Sequence, residues 1–282
     1  MRIGFNMLLW TTHVVDEHFR LFAALKHAGY DGVEIPIFEG DEGHFRRVGE
    51  AAADEGLGIT AVTILPDAAH NAISPDPGSR KGAVDRLRWA VDCGHAAGVR
   101  LLAGPYHQAL GLFSGEPPTH AERDWLVDVQ TEAADYAAEC GMDLSIEPLN
   151  RFECYILNTV ADAADIVRRV GRPNFGLLYD TFHANIEEKD PVGVIAPNIK
   201  VINHVHISEN DRGTPGRGHI PIRATLQALK AAGYDGWLTI EAFGRALPAL
   251  AAATRVWRDF FPSRDEVYQE GIKAIRQGWA EA

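Results

Sequence analysis

The chain alternates two hydrophobicity patterns from end to end. Short apolar runs that predict buried strands lie at 3–8, 32–37, 58–65, 100–106, 143–149, 175–182, 201–208 and 237–243. Between them, apolar residues recur at three- and four-residue steps and predict helices at 18–28, 79–97, 122–139, 159–170 and 222–232. Phe19, Phe22 and Leu25 mark one such stripe; Val84, Leu87, Val91 and Cys93 mark another. Gly29, Gly56, Gly98, Gly141, Gly171 and Gly233 follow helical stretches, where a left-handed closing residue suits glycine. Residues 191–199 form the weakest unit, because the segment is short and carries Pro191 and Pro197.

Strand-like runs each followed by a helical or loop segment predict parallel βαβ units. Eight such units in right-handed series close on themselves, so the expected fold is α/β, a (β/α)8 TIM barrel. An open doubly wound sheet would carry a glycine fingerprint after its first strand. Here that strand runs into Leu8, Leu9, Trp10, Thr11 and Thr12, with no GxGxxG, and no P-loop follows elsewhere. No Gly/Ser linker or charge block divides the chain, so residues 1–282 are expected to form one barrel domain. A C-terminal helical extension is expected from about 255, with Trp257, Phe260, Phe261 and a helical pattern near 265–279 packed over the barrel or a neighbouring subunit.

Composition narrows the function classes. The chain has 282 residues, which suits one barrel of about 250 residues as well as two domains of about 150. Lys plus Arg is 27 and Asp plus Glu is 39, a net charge of −12. That balance repels phosphate backbones and anionic lipids, so neither nucleic acid nor membrane is an expected partner. Cys93, Cys140 and Cys154 cannot all pair, and there is no CxxC, which fits a reducing compartment. The first residues, MRIGFNMLLW, lack a leader's apolar region and cleavage site, and no window reaches the length of a membrane span. A cytoplasmic location is the expectation.

In a barrel of this kind the chemistry sits at the C-terminal ends of the strands. The first four strands offer little charge there: Trp10 follows the first, Glu34 lies within the second, and Tyr106 and His107 end the fourth. The last four differ. Glu147, Asp180, His206 and Glu241 stand in the apolar contexts SIEPL, LLYDTF, VHIS and TIEAF. Buried ionised carboxylates cost several kcal/mol or more each, and three together repel one another. A divalent cation removes that conflict. Three carboxylates and one imidazole suit Mn²⁺, Co²⁺ or Mg²⁺ better than a structural zinc. A single carboxylate in such a place commonly serves a salt bridge or a helix cap, but capping explains at most one of these. His204 shares the barrel face of His206 and reads equally as a hydrogen-bonded core histidine.

A second set surrounds these four. Glu153 follows strand five, and His183 lies three residues after Asp180. Arg212 lies in the loop after strand seven, beside Gly213, Gly216 and Gly218, where a solvated surface arginine is equally consistent. Glu187 and Glu188 read as a solvated pair starting the sixth helix. With Glu209 and Asp211, they make a neutral polyol a better ligand than a dianion.

The segments EPLNRFE (147–153), DTFHANIEE (180–188), HVHISENDRGTPGRG (204–218) and GYDGWLTIEAF (233–243) resemble the ketose 3-epimerases. These are the D-tagatose/D-allulose/L-ribulose 3-epimerase group of the xylose-isomerase-like barrel superfamily. The likeness covers most of 140–260 and extends weakly to GYDGVEI (29–35). It implies a metal, usually Mn²⁺ with Co²⁺ or Mg²⁺ as substitutes, on Glu147, Asp180, His206 and Glu241. It implies substrate contacts at Glu153, His183 and Arg212. The expected reaction is epimerisation of a free ketose at C3 through an enediolate held on the metal. Glu147 and Glu241 act as acid and base from opposite faces, without an organic cofactor. Family members are commonly dimers or tetramers, so a homodimer or homotetramer is expected. Pro148 departs from the Val usual in ketohexose epimerases. Trp10, Tyr106 and His107 are candidate pocket residues toward the far end of the sugar.

Related chemistries remain open on these motifs: hydroxypyruvate isomerisation, and dehydration or β-elimination of a 3-keto-sugar. Hydroxypyruvate isomerases tend to have Gln where His206 stands, which favours the epimerases. A non-catalytic sugar-binding subunit would lack some of the four metal residues, and all four are present.

Overall fold

Every strand pairs in parallel with the next, and the last pairs with the first. The computed structural model describes residues 1–282 and contains a closed barrel in the order β1 to β8. The elements run β1 (Arg2–Asn6), α1 (Phe19–Ala28), β2 (Gly32–Pro36), α2 (Glu42–Asp54), β3 (Gly58–Val62), α3 (Pro77–Ala96), β4 (Leu101–Gly104), α4 (His120–Glu139) and β5 (Asp143–Ile146). Then come α5 (Val160–Val170), β6 (Phe175–Asp180), α6 (Thr181–Glu187), α7 (Ile195–Asn198), β7 (Ile202–Ile207), α8 (Ile222–Ala231), β8 (Trp237–Ile240), α9 (Pro248–Ala253) and α10 (Arg264–Ala280).

The ring closes through Ile3 opposite Leu238 and Phe5 opposite Ile240. Strands enclosed on both faces need apolar residues on both, which is why they read as runs and not as alternations. Most predicted strands overrun the hydrogen-bonded ladder at their C-terminal ends. Leu8, Leu149 and Phe243 lie beyond it and wall the mouth of the barrel, so they are apolar for a different reason.

The helices close as their sequences suggest. Gly29 and Gly171 take left-handed conformations (φ 100° and 62°) just after α1 and α5, where a side chain would strain the backbone. Helix α2 has no counterpart among the predicted ranges. Asp41 caps it by accepting from the His44 amide, and it buries Phe45, Val48 and Ala52. Residues 181–199 hold two short helices, α6 and α7, the second within the short segment 191–199. In the tail, α10 packs beside α8 and α1, with Ile272 and Ile275 buried in the main core. Trp257 is instead 64% exposed, although Phe260 and Phe261 are half-buried. No helix is long and apolar enough to cross a membrane, and the three cysteines are unpaired.

One irregularity shapes the site. Between β6 and β7, Leu177 faces Ile202 and Leu178 faces His204, so the ladder skips Asn203. Its amide fills the space above Gly176 and bonds Ser145 Oγ at 2.6 Å. After this bulge, Asp180 lies level with His206.

Candidate metal centre

Four neighbouring strands deliver the polar cluster at the barrel mouth. Glu147 follows β5 and Glu241 follows β8, each tied to the adjacent strand by its backbone N–H, to Gly104 and Ile207 respectively. Asp180 ends β6 and caps α6: its Oδ1 accepts the Phe182 amide at 2.6 Å, and its Oδ2 faces the site. His206 comes from β7. All four side chains are buried, and one ligand atom from each falls within 4.8 Å of the others.

Two buried atoms in this cluster have no hydrogen-bond partner: Glu147 Oε1 and His206 Nδ1. His206 Nδ1 lies 3.6 Å from Glu241 Oε1 and 3.8 Å from Asp180 Oδ2. Unpartnered buried lone pairs converging with carboxylate oxygens are what a divalent cation satisfies. The residues therefore fit such an ion, and the oxygen-rich set with one nitrogen fits Mn²⁺, Co²⁺ or Mg²⁺.

The electrostatics lead the same way. Burial, reinforced by the charge of Glu241, pushes the Glu147 carboxyl well above the usual range. Burial would also raise Asp180, but the Arg212 guanidinium, with help from the nearby His183 and His206 rings, holds it well below. For His206, burial is outweighed by the charges of Glu34 and Glu241, and its affinity for a proton rises well above normal. A cluster this acidic is short of positive charge.

Arg212 is buried, not a surface residue. Nη1 donates to Asp180 Oδ2 (3.1 Å), Glu241 Oε2 (2.9 Å) and Ser208 Oγ (2.8 Å). Its Cζ stands 3.8 Å from the Phe182 ring centre and 4.8 Å from that of Phe243. Its backbone is left-handed (φ 62°). Glu209 makes this possible by accepting the backbone amides of Gly216 and Ile220, which stitches the glycine-rich loop to itself. His183 Nδ1 accepts the Asn150 amide at 3.0 Å, and Nε2 lies 2.9 Å from Arg212 Nη2. Burial and the Arg212 charge push that imidazole down to about 3. Glu153 Oε1 accepts from Asn150 Nδ2 at 2.7 Å, and burial raises its carboxyl.

A cavity of about 260 Å³ opens over the cluster. Glu147, Glu153, His183, Arg212 and Glu241 line its inner side; Phe38, Pro105, Leu110, Phe152 and Leu250 line its outer side. Asp180 and His206 lie beneath its floor. The three candidate pocket residues, Trp10, Tyr106 and His107, do not line this cavity. Trp10 packs against Phe5, with ring centres 4.9 Å apart, and lines an outer groove with Tyr268. Tyr106 is fully buried, its hydroxyl bonded to the Leu102 carbonyl. His107 is fully buried too, with neither ring nitrogen partnered. A strand-end position does not say which way its side chain turns. The reading of Glu187 as a solvated residue is corrected. It ends α6, its side chain is 5% exposed, and it holds Arg151 through two side-chain bonds. Glu188 accepts the Val160 amide.

Sequence reasoning passed over Glu34 and Asn6. Glu34 is fully buried inside the barrel and accepts from His206 Nε2 and His204 Nε2, both at 2.7 Å. His204 thus takes the core role. Asn6 Nδ2 bridges Glu34 Oε1 (3.0 Å) and Glu241 Oε1 (3.3 Å). The available signal was a lone Glu in a strand that is otherwise apolar.

A closed barrel with an acid–histidine cluster at its C-terminal mouth defines a barrel with a candidate metal centre, and comparison narrows the class. Residues 22–278 match the family model described as xylose isomerase-like TIM barrel. The chain is 32% identical over 279 residues to a ketose 3-epimerase of Arthrobacter globiformis, covering 98% of this chain and 96% of the relative. It is 35% identical over 223 residues to a D-psicose 3-epimerase of Ruminiclostridium cellulolyticum, covering 76% and 74%. The crystal structure of a D-allulose 3-epimerase from Methylomonas sp. in complex with D-allulose superposes with a TM-score of 0.91 at 29% identity, covering 98% and 96%. The chain belongs to the xylose isomerase-like TIM-barrel family, in its ketose 3-epimerase group, and is an enzyme of the isomerase class.

Proposed function

We propose that this enzyme epimerises a free ketose at C3 through an enediolate, with Glu147 and Glu241 exchanging the C3 proton. The observation that carries the reading is the convergence of Glu147, Asp180, His206 and Glu241 under a cavity whose inner wall also holds Glu153, His183 and Arg212. These four residues would hold a divalent cation, Mn²⁺ first and Co²⁺ or Mg²⁺ as alternatives. When bound, it supplies Lewis-acid stabilisation of charge developing on the substrate oxygens.

The chain's own groups do the rest. Glu147 and Glu241 reach the cavity from β5 and β8, three strands apart, and so address opposite faces of one carbon. One takes the C3 proton and the other returns it, with roles reversed in the opposite direction. Arg212, packed close to the rings of Phe182 and Phe243, offers a fixed positive charge beside the reacting carbonyl oxygen. His183, kept neutral by burial, hydrogen-bonds the same end. Glu153 anchors the terminal hydroxyl.

We further propose a cytoplasmic enzyme that assembles as a homodimer or homotetramer. Its exposed large apolar residues other than Met1 are Leu110, Leu112, Phe113, Phe152 and Trp257, all on loops beyond β4, β5 and β8. Light scattering on the purified enzyme measures the assembly.

The test of function is incubation with Mn²⁺ and D-fructose, D-tagatose, D-allulose or L-ribulose in ²H₂O, followed by NMR. Appearance of the C3 epimer with deuterium at C3 is expected. Absence of any C3 epimer, alongside consumption of a 3-keto-glycoside offered in parallel, overturns the proposal.

A further inference from the structure

Inside the barrel, the fully buried Glu34 side chain does not line the cavity over the cluster. Its two oxygens carry four hydrogen bonds. Oε1 accepts from Asn6 Nδ2 (3.0 Å) and His206 Nε2 (2.7 Å); Oε2 accepts from Thr60 Oγ1 (3.0 Å) and His204 Nε2 (2.7 Å). A carboxylate offers about four lone-pair sites, so none is left over. Glu34, His204 and His206 are close enough together to suggest a second cation site. That reading fails, because the carboxylate is saturated and both imidazoles turn an N–H toward it.

The saturation has a directional result. An imidazole whose Nε2 proton is committed to a carboxylate presents its lone pair at Nδ1. In His206 that atom is unpartnered and faces Glu241 and Asp180. Asn6 extends the control to a second residue of the cluster. Its Oδ1 accepts the Leu8 amide at 2.9 Å, which fixes the amide with Nδ2 toward Glu34 and Glu241.

We infer that Glu34 is the positioning residue of the metal centre, fixing His206 in the Nε2–H tautomer directly and orienting Glu241 through Asn6. The inference rests on the metal reading above. Partners that orient a metal-binding histidine are commonly worth about 10–100-fold in metal affinity. Glutamine at position 34 keeps the shape, but it sets an NH₂ against a donor and removes the charge. Alanine leaves His206, His204, Asn6 and Thr60 without their acceptor.

The test has two readouts, neither of which is turnover. Calorimetric titration with Mn²⁺ is expected to show Kd raised about 10–100-fold in Glu34→Gln and further in Glu34→Ala. A merely structural role would lower the melting temperature and leave Kd of the folded variant within twofold of wild type, which overturns the inference. On ¹⁵N-histidine wild-type enzyme loaded with ¹¹³Cd²⁺, a cadmium coupling to His206 Nδ1 with a proton retained on Nε2 is expected. Coupling to Nε2 overturns the inference, and this measurement decides alone if the variants do not fold. If wild type binds neither ion, the metal reading itself falls, a result distinct from wild type binding tightly and the variants binding equally well.

Discussion

His107 gives the barrel a calculable acid sensitivity. The ring is fully buried beyond β4 with both nitrogens unpartnered, and burial pushes its affinity for a proton down to about 3. In the unfolded chain the same ring titrates near 6.5. The folded value is the lower one, so below pH 6.5 the unfolded state takes up a proton that the folded state refuses. Stability is therefore lost as pH falls from 6.5 toward 3. Between pH 7 and pH 4.5 the loss from this single ring is about 2.5 kcal/mol. His107→Leu keeps the volume near that of the ring and removes the titration; at pH 7 the change should be small, since no hydrogen bond is lost. Equilibrium urea unfolding of wild type and variant at both pH values isolates the term. His183, buried with the same direction of shift, contributes to both proteins and cancels. The variant should gain about 2.5 kcal/mol relative to wild type on going to pH 4.5. Parallel losses in the two proteins would refute the claim that this ring is held neutral.

Other consequences can be checked directly. Glu147→Gln or Glu241→Gln should lower ketose epimerisation about 10²–10⁴-fold with unchanged circular dichroism; wild-type turnover in either rules out the two-base scheme. EDTA treatment should suppress activity and lower the melting temperature, both restored by Mn²⁺, and indifference to chelator and added metal would contradict the cation site. Burial pushes the thiols of Cys93 and Cys154 up to about 12 and raises Cys140 as well. An aromatic disulfide reagent at pH 8 should therefore find at most one fast thiol in the native enzyme and three after urea; two or more fast thiols would show that the core opens readily.

The barrel was legible because strands buried on both faces leave apolar runs, and eight of them alternate with helical stripes. Helix α2 was harder, since between Glu42 and Asp54 only Phe45 and Val48 stand out among small and charged residues. Strand position selected Glu147, Asp180, His206 and Glu241, and the structure brings those four together. It could not select Glu34, whose partner His206 lies 172 positions away across the barrel. Nothing in a single strand announces that pairing. Arg212 was ambiguous because its burial depends on a left-handed backbone and on two rings from other elements. Trp10, Tyr106 and His107 turn away from the cavity for a related reason: past the last ladder bond, side chains no longer alternate.

The apolar rim also has a handling consequence. Phe152, which lines the cavity, is 67% exposed, and Trp257, two residues beyond the lining residue Arg255, is 64% exposed. An apolar resin would seize that rim first and seal the entrance, competing with any second copy for the same contact. Of the six exposed lysines, Lys26, Lys81, Lys230 and Lys273 stand instead on the outer helices α1, α3, α8 and α10, while Lys189 and Lys200 flank α7. Tethering by amine chemistry would therefore hold the enzyme chiefly by its helical shell, and replacing Lys189 with arginine would remove the one lysine that follows α6.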